Sequence, residues 1–136
     1  MTIRLKQSDF DAMTAFARKG LPNEACGLIA GKAEEDTKTV EKVYFLNNTD
    51  GSAEHFSIDP KEQLAAVRNM RELGLVPLGN FHSHPSTPAR LSEEDIRLAY
   101  DPKASYLVLS LAEELPVIKA FEVKNNAVLP QTLEIG

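Results

Sequence analysis

The sequence contains only one cysteine and has no long hydrophobic run. Cys26 is the single cysteine among 136 residues, so an internal disulfide is excluded. A lone cysteine is typical of a reducing compartment, which favours the cytoplasm. A chain of this length can bury about two-thirds of its unfolded surface without a disulfide, and we predict a single domain over residues 1–136. Because no apolar run reaches about 20 residues, we expect no membrane span.

The sequence also lacks any cluster of basic residues. It has 15 Lys+Arg against 20 Asp+Glu, for a formal net charge of −5. The basic residues are scattered, whereas binding to nucleic acid requires clustered lysine and arginine to neutralise phosphates. We therefore expect no nucleic-acid partner, and the mild acidity is typical of a soluble protein.

Apolar periodicity and turn residues predict alternating helices and strands. A helix is predicted over residues 8–18, a second over 60–74 with Asp59 as its N-cap, and a third from Ser92 to about Asp101. The predicted strands are residues 25–31, 40–46, 55–58, 76–82, 106–111, 117–123 and 128–133. This order predicts an α/β fold in which a mixed sheet is sandwiched by helices.

Residues 81–96, FHSHPSTPARLSEEDI, contain a candidate metal site. His82 and His84 end an apolar strand two residues apart, so their side chains point to the same face. The following loop is long enough to bring the next helix back toward them, and Asp95 lies in that helix's first turn. Two imidazoles and one carboxylate are a typical ligand set of catalytic zinc, which keeps a fourth position open for water. Iron and manganese accept similar ligands.

Two further residues could complete a hydrolytic site. Glu24 lies in the turn PNEACG just before a predicted strand, where a carboxylate could take a proton from zinc-activated water and pass it to a leaving amine. Ser92 could donate a hydrogen bond to the oxyanion of a tetrahedral intermediate. Both residues are therefore candidate catalytic groups.

Each candidate also has an ordinary interpretation when it is taken alone. A His-x-His pair arises by chance, and Glu24 could be a simple exposed acid. Ser92 and Asp95 match a capping box, which stabilises a helix start, and we expect capping and metal ligation by Asp95 to be mutually exclusive. Cys26 is expected to be a small buried apolar residue rather than a nucleophile. His55 has no predicted role.

Taken together, these residues resemble the JAMM motif of the MPN (Mov34/PAD-1) metallopeptidase family. That motif is a Glu, a distant His-Ser/Thr-His-Pro, and a Ser-x-x-Asp separated from the second His by seven residues. All of its elements are present in this sequence: Glu24, His82, Ser83, His84, Pro85, Ser92 and Asp95. Residues 24–29, EACGLI, are also similar to the family's first strand.

The resemblance implies a fold and a set of residue roles. The implied fold is a sheet sandwiched by helices, similar to the cytidine-deaminase architecture. One zinc ion would be held by His82, His84 and Asp95. Glu24 would be the general acid and base, and Ser92 would stabilise the oxyanion.

The resemblance is to compact prokaryotic members of the family. The chain has no room for the large insertions with which eukaryotic deubiquitinases of this family hold ubiquitin. The implied reaction is hydrolysis after the C-terminal Gly-Gly of a ubiquitin-like modifier or a sulfur-carrier protein. We predict that residues 47–54 and 86–90 form the walls of a groove, in which the tail pairs with a sheet edge.

Two other functions are compatible with the same residues. The protein could be a binding module of the same fold in which zinc is structural. It could also be a zinc amidohydrolase that acts on a small molecule.

Overall fold

The computed structural model describes residues 1–136 as one strongly curved sheet with three helices. The helices are α1 (Gln7–Lys19), α2 (Pro60–Glu72) and α3 (Glu93–Arg97). The strands are β1 (Thr2–Leu5), β2 (Cys26–Ala33), β3 (Thr37–Leu46), β4 (Val76–His84), β5 (Ser105–Ser110), β6 (Val117–Lys124) and β7 (Ala127–Ile135).

The sheet is mixed and closes on itself. The strand order is β1-β3-β2-β4-β5-β6-β7, and β7 pairs with β1 to complete a barrel. β1 is parallel to β3 and to β7, and β4 is parallel to β5, whereas the other pairs are antiparallel. The predicted α/β class with a mixed sheet is confirmed, and the closure into a barrel is an addition to it.

The two faces of the sheet pack against different helices. On one face, Met13 and Ala17 of α1 join the main core with Ile29, Phe81 and Leu107. Successive residues of a strand face opposite sides, so the alternate residues form the other face. On that face, α2 and the segment around α3 cover different strands. The residues under α2 are Leu28, Ala30 and Tyr44, with Ala66 and Met70 of the helix itself. The residues of the α3 side are Ala89, Leu91, Tyr106, Val108, Phe121 and Val123.

Strand β4 lies between these two covered regions. Its residue Asn80 pairs in register with Leu28 of β2 and with Tyr106 of β5. The alternate residues Asn80, His82 and His84 therefore share the face that carries α2 and α3. The predicted ligands His82 and His84 therefore lie between the strands that α2 covers and those of the α3 side.

Two predicted elements are wrong. Residues 55–58 form no strand, and only Ile58 makes an isolated bridge, to Asn48. The backbone of this segment forms hydrogen bonds with a side chain instead of with a strand. The Asn48 side-chain amide donates to the carbonyl of His55 (2.8 Å) and accepts from the N–H of Ser57 (3.2 Å). The third helix ends at Arg97 instead of near residue 101. The chain continues in a tighter turn, in which the N–H of Ala99 donates to the carbonyl of Ile96, three residues earlier.

Strand β1 was not predicted. Its sequence TIRL alternates polar and apolar residues, and Ile3 and Leu5 are 0% and 2% exposed. Its partners β3 and β7 are distant in sequence, so only the closed sheet explains its conformation. No helix of the protein combines the length and the apolar character needed to cross a membrane.

Candidate metal centre

His82, His84 and Asp95 converge on one point at the end of β4. The Nε2 atoms of the two histidines are 3.1 Å apart, and Oδ2 of Asp95 lies 3.1 Å from His82 Nε2 and 3.3 Å from His84 Nε2. Tetrahedral zinc with bonds of about 2.0–2.2 Å places its ligand atoms roughly 3.3–3.6 Å apart. The three residues therefore fit a zinc ion in both atom type and spacing.

Each histidine is held by a different contact. The Nδ1–H of His84 donates to the carbonyl of Pro88 (2.9 Å), which directs the Nε2 lone pair toward the other two ligand atoms. The ring of His82 stacks on Phe56, with centroids 4.8 Å apart and planes at 20°. Both histidines are buried, at 1% and 5% exposed, so their orientation is well constrained.

The position of Asp95 is compatible with two functions that we expected to exclude each other, helix capping and metal ligation. Its Oδ2 accepts the N–H of Ser92 (2.9 Å), while Oγ of Ser92 accepts the N–H of Asp95 (3.0 Å), which completes a capping box at the start of α3. The same Oδ2 atom faces both histidines. The capping box thus fixes the carboxylate in the direction that metal ligation requires, and the two interpretations are compatible.

The charge of Asp95 follows from these contacts. Burial alone would raise the pKa of the Asp95 carboxyl, but hydrogen bonds from His82 and His84 hold it far below its usual range. The same carboxylate raises the pKa of His84, against the lowering effect of burial. The cluster therefore attracts positive charge, in the form of a proton or a cation.

Glu24 lies beside this cluster, just before β2. It is only 6% exposed, and its Oε1 atom is buried without a hydrogen-bond partner. Burial raises the pKa of Glu24 to about 7, an effect that His84 partly offsets and that Asp95 increases. A carboxyl group with a pKa near neutrality can both accept and release a proton at physiological pH.

Ser83 and a loop hold Glu24 in this position. The N–H of Ala25 donates to Oγ of Ser83 (2.8 Å), and the N–H of Ser83 donates to the carbonyl of Ala25 (2.9 Å). The N–H of Glu24 donates to the carbonyl of Ser52 (2.7 Å), and Asn48 Nδ2 donates to the carbonyl of Glu24 (3.0 Å). We did not predict these supporting roles, because they depend on contacts between segments that are distant in the sequence.

A narrow cleft with about 50 Å³ of water-accessible space lies next to His82 and Asp95. Its remaining lining residues are Glu54, His55, Phe56, Asn80, Leu91, Glu94, Leu98 and Tyr106. His55, to which we gave no role, connects the loop to α3, since its Nδ1 lies 2.7 Å from Oε2 of Glu94. No residue of the predicted wall 86–90 lines this cleft, while Glu54 of the other predicted wall does.

Ser92 and Cys26 differ strongly in exposure. Ser92 is exposed, and because its Oγ accepts from Asp95, its own proton remains available for donation. Cys26 is fully buried, and burial raises the pKa of its thiol to about 12. The expectation that Cys26 is a buried apolar residue is confirmed, and a thiol with that pKa is a poor nucleophile.

The raised pKa of Glu24 leads us to expect that the stabilities of the metal-free wild type and Glu24→Gln differ in a pH-dependent way. Its folded pKa of about 7 exceeds the value of about 4.3 for unfolded glutamate, so the folded state binds more protons between these values. The free energy of unfolding that Glu24 contributes therefore falls as the pH rises from about 4 to 7. Because glutamine stays neutral, Glu24→Gln should become more stable than the wild type above pH 7, by up to about 3 kcal/mol.

Urea unfolding in the presence of a chelator, at pH 5 and pH 8, measures this difference. The exposed Glu34→Gln variant is a matched control and should track the wild type at both pH values. A stability difference for Glu24→Gln that does not grow with pH would show that Glu24 titrates normally.

Together, the fold and the site define a JAB1/MPN-type domain. A JAB1/MPN domain protein from Archaeoglobus fulgidus has the same fold in its crystal structure, with a TM-score of 0.60 at 20% identity over 98% of each chain. The solution structure of a protein from Desulfitobacterium hafniense is more similar, with a TM-score of 0.91 and 52% identity over 100% of this chain and 93% of the other.

The chain belongs to the family described as prokaryotic homologs of the JAB domain, whose model matches residues 6–124. The predicted family is thereby confirmed. A CysO-cysteine peptidase from Mycobacterium tuberculosis is 31% identical over 126 residues, which cover 92% of this chain and 85% of the relative. A desampylase from Pyrococcus furiosus is 36% identical over 73 residues, which cover 54% of this chain and 49% of the relative.

Proposed function

We propose that this protein is a cytoplasmic zinc peptidase that hydrolyses the bond after the C-terminal Gly-Gly of a ubiquitin-like or sulfur-carrier protein. The observation that carries the proposal is the convergence of His82, His84 and Asp95 beside the buried carboxyl of Glu24. The relatives named as a CysO-cysteine peptidase and a desampylase support a hydrolase that acts on protein conjugates.

Three ligands favour a catalytic over a structural zinc site. Structural zinc sites are usually closed by four protein ligands, whereas catalytic sites use three and keep one position open. Here three protein ligand atoms converge, and the nearby Glu24 makes no hydrogen bond through Oε1. A purely structural zinc would give no reason to bury an unpaired carboxyl beside it.

In the proposed reaction, the zinc would supply Lewis acidity and lower the pKa of water. Glu24, whose carboxyl is buried beside the ligand atoms, would take a proton from the attacking water and return it to the leaving amine. The hydroxyl of Ser92 would donate a hydrogen bond to the oxyanion. The capping box and the bond from His84 to Pro88 hold the ligands in place before substrate arrives, so little reorganisation is needed during the reaction.

Contrary to our prediction, the closed sheet does not allow the substrate tail to pair with a sheet edge beside the ligands. β4 is paired with β2 on one side and with β5 on the other, so it has no free edge beside the ligands. A tail that runs through the cleft over β4 would therefore meet side chains instead of strand backbone. Glycine residues suit this path, because they lack a Cβ and can approach the sheet closely.

A cleavage assay tests the proposal. Zinc-loaded protein is incubated with a ubiquitin-like protein that carries an extension after its Gly-Gly, and the product masses are measured. We expect release of the extension with the new carboxyl terminus at the second glycine, and loss of the reaction in chelator. Cleavage at another bond would contradict the Gly-Gly specificity, and binding without any cleavage would indicate the binding-module alternative.

A further inference from the structure

Asn80 is a polar residue in the cleft to which the proposed mechanism gives no role. It lies on β4 two residues before His82 and shares the face of the metal ligands. Its side chain lines the cleft, and its Oδ1 atom is buried without a hydrogen-bond partner. Native proteins rarely leave a buried amide oxygen unpaired, so this one requires an explanation.

The residues around Asn80 do not satisfy its amide. Its neighbours across the sheet are Leu28, which has no polar side-chain group, and Tyr106, whose hydroxyl is directed to the carbonyl of Asp101 (3.4 Å). A side-chain amide offers both a donor and an acceptor, which is the hydrogen-bonding complement of a peptide group. The amide of Asn80 is therefore suited to a peptide ligand in the cleft.

The order of groups along β4 indicates which part of the substrate lies over Asn80. Cys26 of β2 is in register with His82 on antiparallel β4, so Glu24, two residues earlier, lies toward His84. Asn80 lies on the other side of His82, about 6.6 Å away along the strand. Because Glu24 returns a proton to the leaving amine in the proposed reaction, the leaving group lies toward His84 and the acyl chain toward Asn80.

We propose that the amide of Asn80 binds a main-chain peptide group of the acyl segment, one or two residues before the scissile carbonyl. The inference rests on the proposed function. An extended chain rises about 3.3–3.6 Å per residue, so two residues span the distance from His82 to Asn80. Glycine offers only main-chain groups, and since β4 has no free edge, Asn80 provides the pairing that a strand edge would otherwise give. Asn80 is thus a specificity-determining residue and not a catalytic one.

Ester substitution in the tail tests this contact. Short peptides that end in Gly-Gly are prepared with one peptide bond at a time replaced by an ester, which removes the N–H donor and weakens the carbonyl acceptor. Binding to zinc-loaded wild type and Asn80→Ala is measured, together with kcat and KM for the cleavable fusion. For one ester position we expect an increase in Kd of about 5- to 10-fold in the wild type and no increase in Asn80→Ala.

The kinetic constants and a control variant distinguish weaker peptide binding from loss of folding or of zinc. Asn80→Ala should raise KM about 5- to 10-fold while kcat changes less than about twofold. Asn69→Ala is the matched control, because it removes an amide on α2 that bonds Lys42 and Tyr44 outside the cleft, and it should bind all the peptides as the wild type does. If the alanine variant lowers Tm or zinc content, Asn80→Leu removes the amide at similar volume and takes its place.

Two negative results have different meanings. Equal ester effects in the wild type and in the Asn80 variant at every position would overturn the inference and leave the proposed function standing. A wild type that neither binds nor cleaves Gly-Gly substrates would overturn the proposed function, and the inference with it.

Discussion

Asp95→Ala is expected to abolish both zinc binding and peptidase activity. The substitution removes one of the three proposed ligand atoms, and the two remaining imidazoles, with Nε2 atoms 3.1 Å apart, cannot hold the ion in a three-ligand catalytic geometry. Zinc per chain, measured by elemental analysis, should fall from about one to near zero. Cleavage of the Gly-Gly fusion should be lost with it.

The capping function of Asp95 requires a second variant. Asp95→Asn keeps a side-chain oxygen that can accept from the N–H of Ser92, so the start of α3 should remain stable while the metal is lost. Glu93→Ala, which changes an exposed acid of the same turn, should keep both zinc and activity. If Asp95→Ala retained stoichiometric zinc, Asp95 would be a helix cap only.

Glu24→Gln is expected to keep the metal and to lose at least about 10²-fold in kcat. Glutamine is close in size to glutamate but cannot accept or return a proton, and the buried position excludes most bulk water that could replace it. Because Glu24 lies outside the set of three converging ligand atoms, zinc content should be unchanged. Steady-state kinetics and elemental analysis on the same sample give both quantities.

The interpretation of that variant depends on how the two measurements combine. Low kcat with full zinc content supports a proton-transfer role for Glu24. Loss of zinc together with activity would mean that Glu24 acts through metal binding, and full activity would remove it from the mechanism. Glu34→Gln serves here as the control for the loss of one negative charge.

Local signals in the sequence predicted most of the secondary structure. Asp59 and Pro60 define the start of α2, where the Asp59 side chain accepts the N–H of Lys61 (2.9 Å). Such caps act over a few residues, so one sequence is sufficient to recognise them. The predictions failed where contacts between distant segments decide the conformation. These places are β1 and residues 55–58, and the backbone of the latter is hydrogen-bonded by the Asn48 side chain instead of by a neighbouring strand.

The sequence by itself determined the family and a candidate set of metal ligands, because His82 and His84 alternate on one strand and Asp95 follows in the first turn of a helix. The motif implied that Glu24 belongs to the same site, but only the tertiary structure shows what holds it there, since the bond that positions its neighbour Ala25 joins residues 58 positions apart. The closed sheet also buries that carboxyl, which raises its pKa to about 7, and it removes the free edge at β4. These properties arise from desolvation and from contacts between distant segments, so local patterns of residues do not reveal them.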